Sequence, residues 1–182
     1  TWEPFISTVQ APHWPWSQPF LVPVRRSCSR SRSRIGRAGA ANRIAPAAWL
    51  ARAAAPLMQP GMVVAPVPLH LRRLLKRRYN QAALISGRVA RAHGAAHLPD
   101  LLVRRRHTPG QDHRGVSDRF ANIAGALAVN QRRTAALAGR PVLLIDDVMA
   151  SGATMAAATD VLLAAGSGQV SVAVLARAVK DD

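Results

Sequence analysis

The sequence predicts an α/β fold in which a parallel sheet is covered by helices on both faces. Apolar runs of strand character alternate along the chain with segments of helical periodicity, and this alternation is typical of parallel sheets. The chain has 182 residues, of which 49% are apolar, enough for one ordinary domain with a packed core and a tail. No internal repeat interrupts the pattern.

The first ordered elements are predicted from about residue 45. The segment APAAWLARAAAPLM (45–58) favours a short helix, and MVVAPVPL (62–69) is a β-branched run broken by two prolines. This run predicts a strand that enters a rigid loop. The segment Asn80–Ala92 places Leu84, Ile85 and Val89 on one side of a helix. Asn80 and Gln81 are expected to fix the local loop and cap this helix, with contact to a substrate as the alternative.

The second half of the chain continues the alternation. LLVRRR (101–106) predicts a second strand, and ANIAGALAV (121–129) a short helix end followed by a strand. RPVLLID (140–146) is the clearest strand, GATMAAATDVLLAAG (152–166) the clearest helix, and QVSVAVLAR (169–177) a closing strand. These elements assign residues 45–182 to one domain.

Residues 1–44 lack this periodicity and predict a disordered arm rich in Arg, Ser and Pro. Its centre reads RRSCSRSRSR (25–34), a composition that cannot bury enough apolar surface to offset its ordering entropy. The net charge is +16, with +7 over residues 1–60 and +9 over residues 61–182, so both parts are basic. Arg-Ser tracts can follow a phosphate backbone, which keeps single-stranded nucleic acid open as a partner.

Several classes of protein are disfavoured by composition. No apolar run approaches the roughly 18 residues of a membrane span, and the first residues lack the order of a signal peptide. Cys28 is the one cysteine, so it builds neither an internal disulfide nor a cysteine-rich zinc site. We therefore expect a cytoplasmic protein without zinc.

The segment VLLIDDVMASGAT (142–154) carries the strongest functional signal. It places Asp146 and Asp147 at the carboxyl end of a strand, where parallel sheets bind ligands. The next turn leads into a helix N-terminus, which attracts anions through its N–H groups and its dipole. The turn residues predicted to hold a phosphate are Ala150, Ser151, Gly152, Ala153 and Thr154. Acids beside a phosphate require a ribose diol or a ligand-borne magnesium ion.

Other interpretations of the acid pair account for less of the sequence. A Walker-type ATPase needs a lysine in a glycine-rich loop, but the two lysines, Lys76 and Lys180, lie elsewhere. The segment GSGQVS (166–171) follows a helix, so its glycines suit a helix C-cap better than a dinucleotide-binding turn. A purely structural pair, one N-cap and one surface acid, leaves the doubled acid unexplained.

The segment VLLIDDVMASGAT resembles the phosphoribosyl pyrophosphate (PRPP) signature of type I phosphoribosyltransferases. The segments APVPLHLRRLLKRRYNQAALISGRVA (65–90), RRRHTPGQ (104–111) and DRFANIAGAL (118–127) are similar to one branch, the ComF or competence-protein F family. Together the similar segments cover about residues 45–180. The resemblance implies a type I phosphoribosyltransferase fold, a parallel sheet with a small hood over the active site.

The resemblance also implies roles for individual residues. Asp146 and Asp147 would contact the ribose hydroxyls and Mg-PRPP, and residues 150–154 would hold the 5′-phosphate. By that resemblance Pro66, Val67 and Pro68 would face the pyrophosphate. Arg104 is expected on the same side because it lies at a predicted strand end, where such sheets bind ligands. A further basic group remains open between a solvated surface and an anion contact, with Arg77 the member assigned to the pyrophosphate side: Arg72, Arg73, Lys76, Arg77 and Arg78.

Two departures from the family pattern limit the expected chemistry. Family members often begin with a cysteine-rich zinc ribbon, which this chain lacks. Purine-salvage relatives usually have an acid at the position of Ala150, so the nitrogen acceptor stays open and no catalytic residue is assigned. The sequence predicts a phosphoribosyltransferase-like protein. The alternative is a competence or DNA-uptake factor that binds single-stranded DNA through its basic surface without turnover.

Overall fold

A five-stranded sheet forms the centre of the protein. The computed structural model describes residues 3–9, 44–68, 80–105, 123, 125–149 and 152–177. The strands are β1 (Glu3–Val9), β2 (Val63–Pro66), β3 (Ala96–His97), β4 (Leu102–Arg104), β5 (Leu127–Val129), β6 (Val142–Met149) and β7 (Val170–Arg177). The helices are α1 (Ile44–Ala54), α2 (Gln81–Ala92), α3 (Thr134–Leu137) and α4 (Ala153–Ala164), with 3-10 turns at Ala55–Leu57 and Gln131–Arg133.

The strand order of the main sheet is β1-β7-β6-β2-β3. The pairs β2–β3, β2–β6 and β6–β7 are parallel, and β1 pairs antiparallel with β7. Strands β4 and β5 form a separate antiparallel pair. The prediction of a mainly parallel sheet flanked by helices is therefore confirmed.

Two hydrophobic clusters pack on opposite faces of this sheet, because successive side chains of a strand point to opposite sides. Val63 of β2 and Leu144 of β6 lie in the cluster that includes α4 and the β4–β5 pair. Val64 and Ile145, the next residues along the same strands, lie in the cluster formed with α1 and α2. Strands β2 and β6 are thus buried on both faces, which explains their nearly continuous apolar sequences.

Strand β1 is an ordered exception within the arm that was predicted to be disordered over residues 1–44. Its residues pair with β7 from Glu3↔Arg177 to Val9↔Val170. An edge strand left unpaired exposes a row of backbone N–H and C=O groups, and β1 satisfies those of β7. Strand addition depends on backbone pairing more than on apolar periodicity, so the composition argument missed it. Residues 10–43 lie outside the described residues.

The boundaries of several elements differ from those predicted. Strand β6 continues to Met149 instead of ending at Asp146, so the acid pair lies inside the strand. The helix predicted over 152–166 begins at Ala153, with Gly152 as its N-cap. In the part of the chain that the structure describes, no helix has the length and apolar character needed to cross a membrane.

Candidate functional site

The acid pair lies where β6 extends beyond the end of its neighbour β2. Pro66 is the last residue of β2 and pairs with Ile145, so Asp146 and Asp147 have no β2 residue beside them. The Ile145 carbonyl accepts a hydrogen bond from the Val67 N–H (2.9 Å), and Asp147, two residues later, turns its N–H to the same side. That N–H donates to Asp146 Oδ1 at 2.8 Å. The Asp146 carboxylate therefore satisfies a donor that a longer β2 would have paired.

The electrostatics of the pair favour the protonated form of Asp146. Burial raises the pKa of Asp146 well above its ordinary value, and the negative charge of Asp147 and a hydrogen bond between the two side chains raise it further. The Asp147 N–H and the positive charge of Arg104 act in the opposite direction but do not cancel these effects. Binding of a cation or of hydroxyl donors at this pair would offset both the cost of burying the charge and the repulsion between the two carboxylates.

The topology places this pair at a switch point of the sheet. From β2 the chain passes through α2 to β3 on one side, and from β6 it passes through α4 to β7 on the other. Helices α2 and α4 pack on opposite faces, so they diverge above the adjacent carboxyl ends of β2 and β6. Such a divergence opens the crevice in which α/β sheets bind ligands.

Helix α4 begins beside the acid pair with a left-handed glycine. Gly152 has φ 76° and ψ −6°, a conformation that L side chains rarely adopt, and as a glycine it places no side chain at the N-cap position. The Gly152 carbonyl accepts the first helical hydrogen bond, from the Ala156 N–H at 3.0 Å. In this first turn Ala153 is buried and Thr154 is half-buried. A 12-residue helix that starts at this sheet edge places the positive end of its dipole there, which favours an anion.

Two of the predicted phosphate-turn residues, Ala150 and Ser151, lie outside the described residues, as does Arg77 on the predicted pyrophosphate side. The structure thus brings Asp146 and Asp147 to the same sheet edge as Gly152, while the roles assigned to all these residues stay predictions. The half-buried Arg104 ends β4, in the small β4–β5 pair, and its charge acts on Asp146. Arg104 is therefore close enough to interact electrostatically with Asp146. Its predicted contact with pyrophosphate stays a prediction.

The segment Pro66–Val67–Pro68 has no backbone N–H group left for a ligand. Both prolines lack an N–H, and the Val67 N–H is used by Ile145. The Val67 carbonyl accepts a hydrogen bond from Asn80 Nδ2 at 3.4 Å. Val67 itself is buried in the cluster below the sheet edge. This segment can shape a pyrophosphate site, but its own main chain cannot donate hydrogen bonds to the anion.

Asn80 was expected to fix the local loop and to cap the helix, and the structure supports the first role alone. It occupies the N-cap position of α2 but makes no side-chain cap hydrogen bond. Its side chain was not among the predicted site residues. The available signals were its N-cap residue type at the start of a predicted helix and its place in a segment similar to the ComF family.

The donor set suits a magnesium ion brought by a phosphate ligand. Within the described ranges no group of three or more His, Cys, Asp or Glu side chains could hold a metal by itself. Magnesium commonly takes one or two carboxylates and completes its shell with water and substrate phosphates. Asp146 and Asp147 supply the two carboxylates of such an arrangement.

Comparison with known proteins gives a match to one domain family and to two curated relatives. Residues 81–181 match the family model for the phosphoribosyl transferase domain. The chain is 34% identical over 117 residues to Competence protein F of Haemophilus influenzae, covering 63% of this chain and 50% of that protein. It is 31% identical over 128 residues to DNA utilization protein YhgH of Salmonella typhimurium, covering 70% of this chain and 54% of that protein.

The chain spans about half the length of these two curated relatives. Among solved structures, the chain is similar to TT1426 from Thermus thermophilus, with 22% identity, 70% coverage of each chain and a TM-score of 0.42.

Proposed function

Because the chain belongs to the phosphoribosyl transferase domain family and is ComF-like, we propose that it binds Mg-PRPP at the carboxyl edge of β2 and β6. The observation that carries this proposal is the half-buried acid pair at the same sheet edge as the left-handed start of α4. One part of the site favours a cation or hydroxyls, and the other favours an anion. PRPP presents a ribose diol, a 5′-phosphate and a metal-bound pyrophosphate within one molecule, so it meets both preferences.

In this arrangement each part of the protein has a separate task. Asp146 and Asp147 accept hydrogen bonds from the ribose hydroxyls and face the metal that accompanies the pyrophosphate. The turn at Gly152 receives the 5′-phosphate at the positive end of α4. Arg104 approaches the acids from the β4–β5 pair and supplies positive charge to the pyrophosphate side.

The reaction proposed for this site is substitution at C1 of the ribose. The bond from C1 to the pyrophosphate oxygen breaks, a bond from C1 to an acceptor nitrogen forms, and that nitrogen loses a proton to water. Bound magnesium would neutralise charge on the departing pyrophosphate. The protein contributes by holding the ribose in place and by stabilising developing charge, because position 150 is an alanine and offers no carboxylate as a base.

Calorimetry of Mg-PRPP binding to the wild type and to Asp147→Asn tests the proposal. We expect clear binding to the wild type and a loss of about tenfold or more in the variant, since about 1.4 kcal/mol of lost interaction already changes affinity tenfold. Equal affinities, or no binding by either protein, would show that the acid pair does not hold PRPP.

A second candidate function is binding of single-stranded DNA. One curated relative is named as a DNA utilization protein, and residues 4–99 of this chain contain Lys and Arg but no Asp or Glu. Such a one-signed charge distribution favours a polyanionic partner. Titration of a labelled oligonucleotide at several salt concentrations, with and without PRPP, separates the candidates. Oligonucleotide affinity that decreases steeply with salt and does not change when PRPP is added favours the DNA function.

A further inference from the structure

Asn80 departs from the usual behaviour of an asparagine at a helix N-terminus. An N-cap asparagine normally accepts a hydrogen bond from the second or third N–H of the helix, which is worth about 1 kcal/mol. Asn130, the N-cap of the turn Gln131–Arg133, does this by accepting from the Arg132 N–H at 3.1 Å. Asn80 makes no such bond, although α2 is 12 residues long. Its side chain is therefore directed to another partner.

That partner is the end of β2. The Val67 carbonyl only accepts hydrogen bonds, so the amide nitrogen of Asn80 must face it, as the contact of 3.4 Å from Nδ2 shows. The amide oxygen then points the other way, and it is buried without a hydrogen-bond donor among the described residues. A buried unsatisfied oxygen costs about 1–3 kcal/mol, so this orientation is not the most favourable one for the helix alone.

The contact between Asn80 and the Val67 carbonyl lies on the side of the proposed site that faces the pyrophosphate half of the ligand. Asn80 starts α2 and Gly152 starts α4, and these helices lie on opposite faces of the sheet with the acid pair at the edge between them. A ligand whose 5′-phosphate lies at α4 extends past the acids toward β2 and Asn80. There the main chain of Pro66–Val67–Pro68 has no N–H to offer, so its contribution depends on where it is held.

We propose that Asn80 is a positioning residue for the pyrophosphate half of the ligand, acting through the Val67 carbonyl, an inference that rests on the proposed function. The contact ties the end of β2 to the start of α2 and thereby sets the wall of the site at Pro66–Val67–Pro68. Without it the Val67 carbonyl loses its side-chain partner and the segment is no longer fixed to α2. The ribose 5-phosphate half, which faces Gly152, does not depend on this contact.

The two halves of PRPP can be measured separately by calorimetry, with magnesium pyrophosphate and ribose 5-phosphate as the probes. Asn80→Ala should weaken pyrophosphate binding about threefold to tenfold, the range expected for loss of one hydrogen bond. Its affinity for ribose 5-phosphate should stay within about twofold of wild type. Asn80→Ser restores a good N-cap but is too short to replace the amide, so it should retain the wild-type melting temperature and still bind pyrophosphate weakly.

Asn130→Ala is the matched control, because it removes an amide that bonds to the Asp100 carbonyl (3.0 Å) and the Arg132 N–H (3.1 Å) away from the acid pair. It should lower the melting temperature and leave binding of both probes unchanged. Asn80 variants that bind pyrophosphate as wild type does would overturn the positioning role while the PRPP site stands. If the wild-type chain binds neither PRPP nor either probe, the proposed function and this inference are both overturned.

Discussion

Replacement of Gly152 by valine separates the phosphate turn from the general stability of the fold. The residue has φ 76°, and a non-glycine residue in the left-handed region costs about 1–2 kcal/mol, with a β-branched side chain at the upper end. Domains of this type have about 5–15 kcal/mol of stability, so Gly152→Val should still fold. A change of 1 kcal/mol shifts the melting temperature by about 2–4 °C at this size, which predicts a decrease of about 2–8 °C.

The effect on binding should be much larger than the effect on stability. A turn distorted at Gly152 no longer aligns backbone donors with the 5′-phosphate, and each hydrogen bond to a charged group contributes about 1.5–3 kcal/mol. Loss of two such bonds predicts a decrease in PRPP affinity of at least about a hundredfold. Calorimetry with PRPP and with ribose 5-phosphate measures this decrease, and circular dichroism establishes that the variant is folded.

Gly166→Val provides the control for this experiment. Gly166 has φ 85°, follows the other end of the same helix, and has open space where a Cβ atom would lie. It should therefore show a similar decrease in melting temperature with unchanged PRPP affinity. If Gly152→Val binds PRPP as well as Gly166→Val does, the start of α4 is not the phosphate site and the reasoning from the left-handed turn is wrong.

Asp146, His97 and strand β1 each affect stability in a way that can be measured. Asp146→Asn should raise the melting temperature of the ligand-free protein and weaken PRPP binding. Because the pKa of Asp146 is raised in the folded protein, the stability advantage of the variant should grow as pH rises from about 4 through that pKa. A pH-independent difference in melting temperature would contradict this prediction. Burial lowers the pKa of His97, so the fold should lose stability as pH falls from about 7 through 6.5 toward that lower pKa, and His97→Gln should show a flatter melting profile between pH 7 and 5. A chain that starts at residue 44 should melt below the full chain and self-associate in light scattering, because removal of β1 leaves the outer edge of β7 unpaired; an equally stable monomer would show that β1 is dispensable.

The sequence was sufficient to predict the elements whose signals are local. Alternating apolar runs and helical segments predicted the parallel sheet, and the glycine of VLLIDDVMASGAT predicted the start of α4, where Gly152 has a positive φ. Pairing between distant segments was not predictable in this way. Strand β1 is stabilised by its backbone hydrogen bonds to β7, which lies more than 160 residues later, and no local pattern in Glu3–Val9 reveals that partner.

The same limit applied to the site. Proline positions predicted a rigid loop at residues 66–68, but the use of the Val67 N–H by Ile145 depends on the register between β2 and β6. That register decides which backbone donors remain for a ligand. The interaction of Arg104 with Asp146 depends likewise on how the β4–β5 pair packs against the sheet, and a strand-end position alone does not specify it.

The doubled acid has a structural explanation and a functional one, and the geometry makes them compatible. The Asp146 carboxylate satisfies the Asp147 N–H, and the Asp147 carboxylate satisfies the Val148 N–H at 2.9 Å, so each acid supports the exposed end of β6. A neutral asparagine could accept the same hydrogen bonds without the burial of charge and the repulsion that raise the pKa of Asp146. Backbone support therefore accounts for oxygen atoms at these two positions but not for two charges. The proposed ligand, which supplies hydroxyl groups and a cation, would account for the charges, and its binding would stabilise this part of the structure.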